Sequence, residues 1–96
     1  MSELTVIMQF MEQARVDPRV GPLHVSLFVA LYYLSEKQGA HDPVLFTGRE
    51  LMPIAKIGGG TPFYRCIKQL HAYGYIVYEP SFNASLKSRV SLRGEQ

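Results

Sequence analysis

The sequence predicts a mainly α-helical domain of the α+β class closed by a small β-hairpin, and three observations carry that reading. Several segments show helical periodicity or helix-start chemistry. A β-prone run near the C-terminus is followed by turn formers and a second alternating run. The chain has 96 residues, one domain's worth. At that length folding buries roughly two thirds of the unfolded surface, enough for a core without disulfides or a metal. A hydrophobic share of 47% against 19% charged residues belongs to a folded protein, not a disordered one.

From Leu4 to about Val16, the residues Val6, Ile7, Phe10, Met11 and Ala14 recur at spacings of three and four and describe one stripe of an amphipathic helix. Asp17-Pro18 stops it, because a residue before proline is pushed out of the helical region. A second helix is expected from Gly21-Pro22 to Gly39. Its middle, VSLFVALYYL, is apolar on nearly every face and predicts burial on several sides. Val44-Leu45-Phe46 reads as a brief strand, and Thr47-Gly48-Arg49-Glu50 has the form of a capping box opening a short helix through Ile57. Pro53 falls in or just after its first turn. Gly58-Gly59-Gly60 breaks the chain, and Thr61-Pro62 combines an N-cap hydroxyl with a proline at the first helical position, so the next helix is placed at about 62–73, closing on Gly74. Tyr75 to Tyr78 and Leu86 to Leu92 then form a two-stranded ribbon over 75–92.

Two short helices, about 48–57 and 62–73, joined by a glycine-containing turn make a helix-turn-helix arrangement. The charge is distributed to match. The net +2 divides into −2 over residues 1–48 and +4 over residues 49–96, so the second half is the one suited to facing a polyanion. The segment YRCIKQLHAYGYIV, Tyr64 to Val77, resembles the ending of the winged-helix family of DNA-binding proteins, where the reading helix closes on Gly-Tyr-Ile and enters the wing. With the PSFNASLKS wing it is also similar to small helix-turn-helix proteins encoded near bacterial mobile and conjugative elements.

The resemblance implies a single winged helix-turn-helix domain over 1–96 that binds double-stranded DNA. Its role would be that of a transcriptional regulator or an accessory to replication or excision of a mobile element. A major groove about 12 Å wide admits one helix, so bases are read by that helix's first turn and outward face. Those residues are Thr61, Tyr64, Arg65, Lys68 and Gln69. Arg65 or Lys68 suits guanine and Gln69 suits adenine. Tyr64 or Thr61 suits a phosphate, as do the free N–H groups of Gly60 and Thr61. Arg49 and Lys56 on the preceding helix, and Lys87 and Arg89 on the ribbon, would meet the flanking backbone.

The competing reading is a winged helix that docks onto a replication or recombination complex, motivated by the modest net charge. A homodimer through Val6, Ile7, Phe10 and Met11 of the N-terminal helix is a further expectation, weighed against that stripe simply packing on the second helix. No enzyme is expected, because no paired carboxylates and no Ser/His/Asp set stand at suggestive positions. No cofactor or small-molecule substrate is implied. His24, His41, His71 and the single Cys66 lack metal-ligand spacing. Asn83-Ala84-Ser85 matches a glycosylation pattern that matters only in a secreted chain. The N-terminal MSELTVIMQF lacks the pattern of a secretory signal, and the longest apolar run is too short to span a bilayer, which points to a cytoplasmic protein without membrane contact.

Overall fold

Most of the first helix's stripe is spent inside the chain, while Met11 stays 39% exposed. In α1 (Leu4–Ala14), Phe10 and Ala14 are buried one turn apart, and Val6 and Ile7 pack against the core beside them. Phe10 lies flat on Phe28, with ring centroids 3.9 Å apart, and meets Tyr75 edge-on at 5.3 Å. This is a computed structural model, and it describes residues 4–40, 42–81 and 86–92. The expected end of α1 at Val16 moves back to Ala14, after which looser turns carry the chain through Asp17 to Pro18.

α2 (Pro22–Lys37) starts with proline at its first position. The Gly21 N–H donates to His24 Nδ1 at 2.9 Å, so an imidazole does what a glutamate does in a capping box. The helix ends on Gly39, whose φ of 88° lets the Ala40 N–H reach back to the Ser35 carbonyl at 2.8 Å. Leu27, Phe28, Leu31 and Leu34 form the centre of the core. Burial on several sides holds for them but not for the whole apolar run: Val29 is 46% exposed and Tyr33 50%.

β1 (Val44–Phe46) alternates as a half-buried strand should, with Val44 and Phe46 fully buried and Leu45 turned outward. The Gln38 side chain brackets Leu45, donating to its carbonyl at 2.6 Å and accepting from its N–H at 3.1 Å. The expected two-stranded ribbon is in fact two strands of three. β2 (Val77–Glu79) and β3 (Ser88–Ser91) pair antiparallel, and β3 also pairs antiparallel with β1, giving the order β1-β3-β2. The register sets Val44 opposite Val90 on one side and Tyr78 opposite Val90 on the other. A three-residue strand has too few ladder bonds to stand alone, and β3 supplies its partner. Tyr75 and Ile76 are buried ahead of β2 and belong to the core, so the ribbon's first strand starts at Val77.

α3 (Gly48–Ala55) and α4 (Gly60–Ala72) complete an α+β architecture that holds, among the described residues, four helices and one small antiparallel sheet. Leu51 and Ala55 of α3 and Phe63, Cys66, Ile67 and Leu70 of α4 close over α2. Phe63 has no exposed surface, and its truncation to alanine would cost ~3–5 kcal/mol. The expected turn formers Asn83-Ala84-Ser85, together with His41 and the C-terminal residues from Arg93, lie outside the described residues.

Candidate nucleic-acid interface

α3, the turn after it and α4 position the candidate surface. Thr47 Oγ1 accepts from the Glu50 N–H at 3.1 Å, the first half of the expected capping box. Glu50 does not complete the box. Its Oε1 lies 3.6 Å from Lys87 Nζ, and this buried oxygen has no hydrogen-bond partner among the described residues, so the ammonium is its compensation. α3 ends at Ala55, short of the expected Ile57. The Lys56 N–H bonds to the Pro53 carbonyl and the Ile57 N–H to the Met52 carbonyl, the pattern that turns a helix out through one left-handed residue. That residue is Lys56, at φ 62° and ψ 36°, and not one of the glycines. Ile57 is thereby driven into the core.

The glycines do something else. None of Gly58, Gly59 and Gly60 has a positive φ, and a Cβ at Gly58 or Gly60 would meet nothing within 4 Å. α4 begins at Gly60 rather than after Thr61, with Gly59 as its N-cap. Pro62 then occupies the third helical position, where it has no N–H, so Gly59 caps the helix without a side chain and leaves no donor unserved at that position. The helix also ends at Ala72, one residue before the expected Tyr73, and leaves through Gly74 at φ 88°.

Projected along α4, Gly60, Thr61, Tyr64, Arg65 and Lys68 share the exposed face opposite Phe63, Cys66, Ile67 and Leu70. Tyr64 packs edge-on against Phe63, with centroids 4.8 Å apart, and its hydroxyl lies against Gly48 at the start of α3, where any Cβ would collide with it. Arg49 and Lys56 are exposed on and just after α3. Among the described residues, none of Arg49, Lys56, Arg65 and Lys68 is in an ion pair.

Three expected contacts are placed differently. Gln69 is half-buried and turned inward, with its Oε1 2.7 Å from His24 Nε2. Because His24 Nδ1 already accepts from Gly21, Nε2 carries the proton and donates to Gln69. A glutamine held by a buried histidine is not presented to a base edge. On the ribbon, Lys87 faces Glu50, and Arg89 lies 3.7 Å from Glu79 on the neighbouring strand. Both remain exposed, yet each has an acidic partner to exchange for a phosphate.

No family model, curated protein or solved structure matches this chain. A polar cluster that sequence reasoning missed ties the loop after α1 to the end of α4. Asp17 accepts from Arg19 Nε at 2.9 Å and Nη2 at 2.8 Å, and from the Tyr75 hydroxyl at 2.7 Å, while the Arg19 guanidinium lies 4.2 Å above the Tyr73 ring. The Arg19 bonds, then that of Tyr75, hold the Asp17 carboxyl well below the usual carboxylate range. Burial first, then the bond to Asp17, pushes the Tyr75 hydroxyl up to about 12. Cys66 faces the core, and burial raises its thiol as well. Among the described residues no group of His, Cys, Asp and Glu could hold a metal ion, and no helix is long and apolar enough to cross a membrane.

Proposed function

We propose that this chain is a winged helix-turn-helix protein that binds double-stranded DNA sequence-specifically, with α4 in the major groove and the β2–β3 hairpin as the wing. The single observation that carries the reading is the outward face of α4. Thr61, Tyr64, Arg65 and Lys68 line it without an ion pair among the described residues, and Arg49 and Lys56 are exposed on and just after the preceding helix. The order of elements, with β1 closing the sheet beside β3, supports the same reading.

Thr61 and the free N–H groups of the first turn suit a phosphate at the groove edge. Arg65 and Lys68, one turn further in, suit the O6 and N7 acceptors of guanine. Gln69 is withdrawn from the set of readers, and Tyr64 is shared with the start of α3. The wing cations serve the backbone once released from Glu50 and Glu79. A cytoplasmic role in transcription control, or in replication or excision of a mobile element, fits such a reader.

Selection of bound sequences from a random duplex pool tests the reading. Recovery of a common motif whose guanines lose their enrichment with Arg65→Ala supports it. Recovery of no motif, with equal retention of all duplexes, sinks it.

A further inference from the structure

α2 carries an apolar stripe that the fold leaves uncovered. Pro22, Val29, Tyr33 and Glu36 are exposed along one face and Val25 is half-buried among them, while the opposite face holds Leu27, Phe28, Leu31 and Leu34. The spacing of Pro22, Val25, Val29, Tyr33 and Glu36 is three, four, four and three, the same read from either end. At its N-terminal end the stripe runs into an apolar cleft of about 750 Å³ between the end of α1 and the start of α2, lined by Met11, Val16, Val20 and Val25 with Arg15 among them. Val16 at 68% exposure and Val29 at 46% both present apolar surface to solvent on this side of the molecule.

We propose that this face is covered by a second copy of the chain, packed with the two α2 helices antiparallel about a two-fold axis at Val29. The proposal uses no residue of α4 and does not rest on the DNA-binding reading. An isologous pairing requires that the patch match itself after reversal, and the stripe does. Val29 meets the partner's Val29. Tyr33 reaches the level of the partner's Val25, where the cleft offers a hole for a phenol ring. Glu36 reaches the level of the partner's Pro22, the positive end of that helix, whose first turn contains no acidic residue. Arg15, exposed and among the described residues held only by a 3.5 Å contact to Glu12, lines the same cleft and adds a cation for Glu36. Glu36 thus meets opposite charge only in the antiparallel sense. In a parallel pair Glu36 would face the partner's Glu36.

Sedimentation equilibrium of the whole chain, without DNA, across a series from micromolar to submillimolar concentration tests this. A reversible monomer–dimer equilibrium is expected. Val29→Lys sets two ammonium groups face to face on the axis and raises the dissociation constant by at least about a hundredfold. Because Val29 is half exposed, the variant's thermal melt at monomeric concentration stays that of the parent. Glu36→Arg weakens the dimer, and adding Arg15→Glu in the same chain restores it. A parent chain that stays monomeric throughout, a Val29→Lys chain that dimerises as before, or a charge swap without rescue overturns the proposal.

Discussion

Replacing both Arg65 and Lys68 with alanine tests the role of α4 through the salt dependence of binding. Each phosphate neutralised by a cation releases counterions, so log affinity falls against log salt with a slope near −0.9 per contact. Arg49, Lys56, Arg65 and Lys68 are exposed and outside any ion pair among the described residues, whereas Lys87 and Arg89 face Glu50 and Glu79. If the four unpaired cations alone meet phosphate, the slope is about −3.6; if the wing pairs also open, it is about −5.4. With four contacts, affinity falls on the order of 150-fold between about 50 and about 200 mM salt, and the double variant falls only on the order of tenfold. Should Arg65 or Lys68 read a base instead, its share appears as lost discrimination of about 1–3 kcal/mol at one position. Fluorescence anisotropy of a labelled duplex at a series of salt concentrations measures both quantities. Lys87→Ala in the same series shows whether the Glu50 pair opens. A double variant with the parent's slope and discrimination, or a parent chain that ignores duplex DNA at low salt, refutes the reasoning.

Lys56→Gly relieves a side chain held at φ 62° and is expected to stabilise the fold by about 0.5–1 kcal/mol in urea denaturation while weakening DNA binding. Gly60→Ala gains about 0.5–1 kcal/mol by the same assay, because its Cβ meets nothing and its φ is ordinary, yet it lowers DNA affinity if a phosphate approaches the first turn of α4. For the polar cluster the signs are opposite at the two ends of the pH scale. Asp17 is held below its unfolded value of about 3.9, so its contribution is complete above that pH and fades as pH falls toward the folded value. Tyr75 is raised from 10.0 to about 12, so its contribution is complete below about pH 10 and is lost as pH rises through 12. Melting temperature against pH should therefore drop less steeply in acid for Asp17→Asn, and less steeply in alkali for Tyr75→Phe.

Local chemistry made much of this readable. Pro22 at a helix start, Thr47 as a cap, Gly39 and Gly74 as left-handed exits, and the apolar stripe of α4 each act within a few residues, and each is where the sequence places it. Departures arise where a distant residue decides. Gln69 sits on the polar side of α4 by projection, but His24 on another helix captures it. The ladder between β1 and β3 joins segments on either side of the helical pair, and nothing local in Val44-Leu45-Phe46 names its partner. Asp17-Pro18-Arg19 reads as a helix stop, yet its charges also meet Tyr73 and Tyr75. The left-handed residue after α3 is harder still. Three glycines stand nearby, and the position falls on Lys56 because the apolar Ile57 must follow it into the core.

The bracket that Gln38 forms around Leu45 has a counterpart across the sheet. On β2, the Tyr78 N–H donates to His71 Nδ1 at 3.0 Å. Both outer rims of the three-stranded sheet are therefore met by a side chain from the helix end nearest in sequence, α2 for β1 and α4 for β2. An amide side chain has the same donor and acceptor as a peptide unit, so Gln38 stands where a fourth strand would begin its ladder. Rims left bare recruit strands from other molecules and grow into polymers. Here, besides the exposed Glu79 on β2, they are met by Gln38 at the C-cap of α2 and by His71 in α4. The sheet stays three strands wide because its neighbours imitate the next one.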